Sequence, residues 1–125
     1  MPGTILFVDD EIEMCFMVSN LFRHYGYNII TAETVDVALD SSDGIPLDVI
    51  VLDVNLAGED GLKLMTFLHR NNPDVPIILY TGMQHDDDVV QKAIKDGAHT
   101  YLRKGGPLEE LVRAVEQASG QAPAV

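Results

Sequence analysis

The chain has no tryptophan, a single cysteine, and only 6% aromatic residues. One thiol, Cys15, makes neither an internal disulfide nor a cysteine-rich zinc site, so the sequence suits a reducing compartment and the cytoplasm is expected. Basic residues are scarce too. Eight Lys and Arg stand against twenty Asp and Glu, a formal net charge of −12. A polyanion is repelled by phosphate backbones and by anionic lipid, which argues against direct nucleic-acid or membrane binding by this segment. No apolar run approaches the roughly 20 residues a membrane helix needs, and the first residues lack the basic-then-apolar layout of a secretory signal. Repeats and linkers are missing as well. What is present, 46% apolar and 22% charged residues in a chain of 125, is the composition and length of one ordinary folded domain. That domain is expected over residues 1–118, with 119–125 as a frayed tail.

Short apolar runs alternate with amphipathic stretches. Ile5–Val8 reads as a buried strand, cut off at once by Asp9-Asp10-Glu11. From Ile12 to Tyr25 the apolar residues recur at intervals of three and four, and Gly26 follows where a helix ends, which predicts the first helix. Asn28–Ala32 is a β-branched run, and Val35–Leu39 a short helix capped by Thr34 and broken at Gly44-Ile45-Pro46. Val49–Leu52 reads as the central strand. A helix through Leu62, Leu64, Met65 and Leu68 follows, opened after Gly61 and stopped at Asn71-Asn72-Pro73, and then a strand over Ile77–Tyr80. Asp86–Asp96 is predicted helical, with acids in its first turn and Gly97 behind it. A fifth strand over His99–Leu102 precedes a last helix with Pro107 at its first position, running to Ala118. Strands alternating with helices imply a doubly wound parallel α/β sheet of three layers, covered on both faces by right-handed crossovers. Ligands bind such sheets beyond the carboxyl ends of the strands.

At those ends stand Asp9 and Asp10, Asp53, Thr81, and Lys104. Three carboxylates gathered at one edge of a low-dielectric core repel one another, and a hard divalent cation is the economical relief. Mg²⁺ prefers oxygen ligands and characteristically shares its shell with a substrate phosphate. Lys104 offers an ammonium and Thr81 a hydroxyl to phosphoryl oxygens, while Asp53 can attack phosphorus and become an acyl phosphate. Taken singly each residue has a plainer reading. The acidic run suits a solvated helix start, Lys104 a surface charge, Tyr101 a half-buried strand aromatic, and Cys15 a small core residue. His24, His69, His85 and His99 show no paired ligand spacing, so a transition-metal site is not expected. It is the convergence of the acids, Thr81 and Lys104 on one edge that points to phosphoryl chemistry.

From Ile5 to about Ala118 the chain resembles the receiver domain of bacterial two-component response regulators, of the chemotaxis-type single receiver fold. The resemblance is carried by Asp9-Asp10, Asp53, Thr81 followed by Gly82, and Lys104 with Tyr101 three residues before it. It implies a flavodoxin-like five-stranded sheet of order 2-1-3-4-5 with five helices. It implies that Asp53 is the phosphoacceptor, that Asp10, Asp53 and the backbone carbonyl of Asn55 bind Mg²⁺ (Mn²⁺ substituting), and that Asp9 acts through a coordinated water. A histidine kinase or histidine phosphotransfer protein would supply the phosphoryl group. Thr81 and Tyr101 would then move as a switch, altering the face of the fourth helix, fifth strand and fifth helix toward an output domain or partner, or toward a phosphorylation-dependent homodimer. Such a module is not an enzyme beyond its own phosphoryl transfer and slow dephosphorylation. The chain departs from the family where Gly105-Gly106 follow Lys104 in place of Pro, which predicts a trans Lys104–Gly105 bond and a less rigidly aimed lysine, and where Ala57-Gly58 stand in place of Pro. Asn55 and Met83 would flank the hydrolytic water, and apolar Met83 predicts a long-lived phosphoryl group.

Three other functions compete. A flavin-binding electron-transfer domain needs a phosphate-cradling loop where Asp9-Asp10-Glu11 would repel the flavin phosphate. An aspartyl phosphatase usually carries a second Asp two residues after the nucleophile, where this chain has Asn55. An unphosphorylated interaction scaffold differs only in whether Asp53 accepts phosphate.

Overall fold

The computed structural model describes residues 3–56, 58–82 and 87–120. Five parallel strands form one sheet: β1 (Thr4–Val8), β2 (Asn28–Ala32), β3 (Val49–Leu52), β6 (Ile77–Thr81) and β7 (Thr100–Arg103), in the order β2-β1-β3-β6-β7. The helices are α1 (Ile12–His24), α2 (Val35–Ser42), α3 (Gly61–Asn71), α4 (Asp87–Lys95) and α5 (Leu108–Ala118). This is the doubly wound α/β layout expected, with two strands added. The segment after Asp53 turns back on itself as a small antiparallel hairpin, β4 (Asn55–Leu56) with β5 (Glu59–Asp60), so the expected fourth and fifth strands are β6 and β7.

Alternation along the strands builds the three layers, because successive side chains leave opposite faces of a sheet. Leu6, Val8, Ile50, Leu52 and Leu79 pack with Ala38, Leu64, Leu68 and Ala93 under α2, α3 and α4. Ile5, Phe7, Val51, Ile78 and Tyr80 pack with Val18, Phe22, Leu111 and Val115 under α1 and α5. Both faces of β3 are buried along its whole length, as the unbroken apolar run Val49–Leu52 requires.

Several ends differ from expectation for identifiable reasons. Thr34 does cap α2, its Oγ1 accepting from the Val37 N–H at 3.2 Å, but the helix runs on to Ser42, whose hydroxyl donates to the Ala38 carbonyl. Pro107 sits at the N-cap of α5 (φ −61°, ψ 140°) and not at its first helical position. Gly26 and Gly97 both take positive φ at helix ends. Asp86 and residues 121–125 of the expected tail lie outside the described residues, whereas Ser119 and Gly120 close α5 by donating to the carbonyls of Val115 and Gln117. No described helix is long and apolar enough to cross a membrane.

Candidate functional site

The parallel register sets the site. Val8 pairs with Leu52 and Leu52 with Leu79, so the residues that follow β1 and β3 emerge side by side at the carboxyl edge. Hydrogen bonding continues past the strand ends and fixes the backbones there. Asp9 N–H donates to Ala32 O at 3.0 Å, Asp53 N–H to Val8 O at 3.0 Å, and Lys104 N–H to Thr81 O at 2.8 Å. Side chains then lock the turns. Asp9 Oδ1 accepts from the Glu11 N–H at 2.9 Å where α1 begins, and Asp53 Oδ1 accepts from the Asn55 N–H at 3.1 Å where the hairpin begins. Asp60 caps α3 by accepting from Leu62 and Lys63. The hairpin closes tightly against the strand end. A Cβ on Gly61 would run into the carbonyl oxygen of Asp53 and approach that of Val54 within 2.5 Å, so only glycine fits.

Asp9, Asp10 and Asp53 each offer a carboxylate oxygen within 4.8 Å of the others, so the three expected acids do converge. Asp9 is fully buried and Asp53 is 6% exposed, an expensive place for two anions. Lys104 lies between them, with Nζ 2.6 Å from Asp9 Oδ2 and 2.9 Å from Asp53 Oδ2, and 3.3 Å from Glu11 Oε1 at the solvent side. Burial pushes the Asp9 carboxyl above its ordinary pKa against the hydrogen bond and charge of Lys104. Burial alone would depress Lys104, but Asp9 and Asp53 override it and hold the ammonium above its ordinary value. The Lys104–Gly105 bond is trans as expected, all described peptide bonds being so, and the lysine is nevertheless aimed, by its carboxylates.

Thr81 is the last residue of β6, 1% exposed, and its buried Oγ1 has no hydrogen-bond partner among the described residues. Tyr101 is half-buried on β7, packed against the α2–α3–α4 side of the core. Asn55 is exposed at the start of the hairpin. Met83 lies outside the described residues.

Three neighbours were not legible as site residues. Glu11 reads as a solvated helix start yet reaches Lys104, and nothing in a linear pattern signals a pair 93 residues apart. Tyr80 reads as core, and its ring also lies under the lysine ammonium. Cys15 is a core residue as expected, but its Sγ donates to the Asp9 carbonyl at 3.3 Å. Burial first, and then the Asp9 charge, push that thiol from its usual 9.0 to about 11. The folded state therefore holds the thiol proton more tightly than the unfolded chain, and this contribution to stability, complete below pH 9, is lost as pH rises through about 11. At pH 8 iodoacetamide should alkylate Cys15 at least about tenfold more slowly in the native protein than in urea, the deficit in thiolate being partly offset by the greater nucleophilicity of a more basic thiolate. Equal rates would show the thiol to be open and normally acidic.

The chemistry of the donor set fits a hard divalent ion. The ligands available are carboxylate oxygens that lie within 4.8 Å of one another, donors of the kind Mg²⁺ prefers. The response regulator receiver domain family model matches residues 5–116, and the chain belongs to that family. It is a receiver domain of the kind found in signalling proteins. Among curated relatives, the probable transcriptional regulatory protein TcrX of Mycobacterium tuberculosis is 35% identical over 111 residues, 89% of this chain and 47% of TcrX, so the chain spans about half of that relative. Among solved structures, chemotaxis protein CheY4 of Vibrio cholerae superposes with a TM-score of 0.86 at 26% identity, covering 94% of this chain and 99% of that one. A response regulator from Burkholderia pseudomallei, solved with a phosphorylated aspartic acid, calcium ion and citrate, gives 0.84 at 26% identity over 94% and 69% of the two chains.

Proposed function

We propose that this domain accepts a phosphoryl group on Asp53 from a phosphohistidine donor, a histidine kinase or histidine phosphotransfer protein, and that the acyl phosphate changes the face of α4, β7 and α5 read by an output domain or partner. The observation that supports this best is the meeting, at one strand edge, of Asp53 with two further acids, a bridging ammonium and a buried threonine hydroxyl that has no hydrogen-bond partner among the described residues. An Asp53 carboxylate oxygen forms a bond to phosphorus as the bond from phosphorus to the donor nitrogen breaks, and the imidazole keeps the electron pair. Lys104, already 2.9 Å from Asp53, donates to one phosphoryl oxygen. The Thr81 hydroxyl, which has no hydrogen-bond partner among the described residues, donates to another. Asp10, Asp53 and the Asn55 carbonyl would hold Mg²⁺ or Mn²⁺, with Asp9 acting through a water, and the ion would supply the remaining neutralisation of phosphoryl charge. Contacts made only in the phosphorylated state then bias Thr81 and Tyr101 between two arrangements. The phosphorylated aspartate and divalent ion of the Burkholderia relative support this reading.

The test is incubation with acetyl phosphate, with Mg²⁺ and with chelator, followed by intact mass. Gain of one phosphoryl group only with the metal supports the reading, and no gain under any condition leaves an interaction scaffold.

A donor protein must also dock beside the acids. α1 starts two residues after Asp10 and turns Ile12 and Phe16, one helical turn apart and 66% and 69% exposed, to solvent. Large apolar side chains this exposed mark an interaction surface. Phe16→Asp should slow transfer from a phosphorylated donor protein by roughly tenfold or more, the scale of a lost apolar anchor, while leaving acetyl phosphate labelling unchanged. Equal slowing with both donors would show damage to the site itself.

A further inference from the structure

Gly105, at φ +109°, and Gly106 follow Lys104, so the backbone beyond the lysine adds little stiffness and its aim depends on what the side chain touches. Of its three anionic partners, Glu11 at 3.3 Å is 62% exposed and screened by solvent, and the other two are the groups that the proposed reaction rewrites. Asp53 gives its carboxylate to an acyl phosphate, and Asp9 belongs to the acidic cluster with which a cation would associate. One contact is of another kind. Lys104 Nζ stands 5.9 Å from the centroid of the Tyr80 ring. Tyr80 is 3% exposed near the end of β6, packed into the α1–α5 side of the core. Burial holds its phenol above the ordinary pKa, which keeps the ring neutral. The quadrupole of a neutral ring does not change while charge moves at the phosphoryl site, and it acts most strongly on a desolvated ammonium such as this one, whose side chain is 9% exposed.

We propose that Tyr80 is a positioning residue whose buried ring keeps the Lys104 ammonium aimed at the phosphoryl site while Asp53 changes its charge. The kinetic consequence rests on the function proposed above; the placement itself does not. The ring is what matters, so Tyr80→Phe should behave as the parent and Tyr80→Leu should not. Three measurements separate the possibilities. In the metal-free protein the Lys104 ε-methylene resonances should show a ring-current shift in the parent and Tyr80→Phe that disappears in Tyr80→Leu. Labelling by acetyl phosphate with Mg²⁺ should stay within about twofold for Tyr80→Phe and fall about five- to tenfold for Tyr80→Leu, the scale of a buried cation–π contact. Mg²⁺ affinity, read by calorimetry, should be the same in all three. If Tyr80→Leu does not fold, Tyr80→Met removes the ring while keeping more of the volume. The proposal is overturned by a parent without the ring-current shift, by a ringless variant labelled as fast as the parent, by Tyr80→Phe falling as far as Tyr80→Leu, or by Mg²⁺ affinity dropping in step with the rate. Failure of the parent to take up phosphate sinks the proposed function and the kinetic arm with it, while the resonance arm still decides whether the ring holds the lysine.

Discussion

Asp53→Asn should take up no phosphoryl group under conditions in which the parent gains one. The substitution keeps the shape of the side chain, so the amide oxygen can still accept from the Asn55 N–H, a contact of 3.1 Å in the parent. Lys104 keeps Asp9 at 2.6 Å as an anionic partner, and the fold should survive. What is lost is the nucleophile, because a neutral amide does not form an acyl phosphate. Labelling should therefore fall below detection, by at least about a thousandfold as for loss of any covalent nucleophile, while the circular dichroism spectrum stays native. Undiminished labelling of this variant would place the acceptor elsewhere, with Asp10 the first position to map.

Lys104→Met should have two large effects of different origin. Methionine matches the length of the lysine stem but removes a charge that bridges Asp9 and Asp53, whose side chains are 1% and 7% exposed. Removing one partner of a buried ion pair leaves the other uncompensated and costs about 3 kcal/mol or more. The metal-free variant should thus melt roughly 10 °C lower than the parent. Mg²⁺ should return part of that loss, because it supplies the missing positive charge to the same acids. The labelling rate with acetyl phosphate should fall by about a hundredfold or more, as for removal of one group that stabilises charge in a transition state. If the variant melts with the parent, Lys104 does not neutralise the cluster, and the ion pairs at 2.6 and 2.9 Å contribute nothing net.

Most of the layout was legible because burial imposes a period. Runs such as Val49–Leu52 and Ile77–Tyr80 are apolar throughout because both faces of a central parallel strand are covered, and α1 and α5 show their three- and four-residue spacing because only one side of each is buried. The hairpin of β4 and β5 was not legible. Two-residue strands have no period, and Asn55, Glu59 and Asp60 read as loop. The acids, Thr81 and Lys104 could be picked out because each follows or ends an apolar run, and their convergence follows from register. Glu11 and Tyr80 could not, since both earn their place through a lysine far along the chain that no local pattern reveals.

That separation bears on how the molecule is made. Lys104 stands 51 residues beyond Asp53, on the far side of α3, β6, α4 and β7. During synthesis from the amino terminus, β1 can associate with β2 and β3 and bring Asp9, Asp10 and Asp53 together before the residue that neutralises them exists. The emerging chain thus carries all three acids before their ammonium has been made, and their neutralisation within the protein waits on the last strand of the sheet.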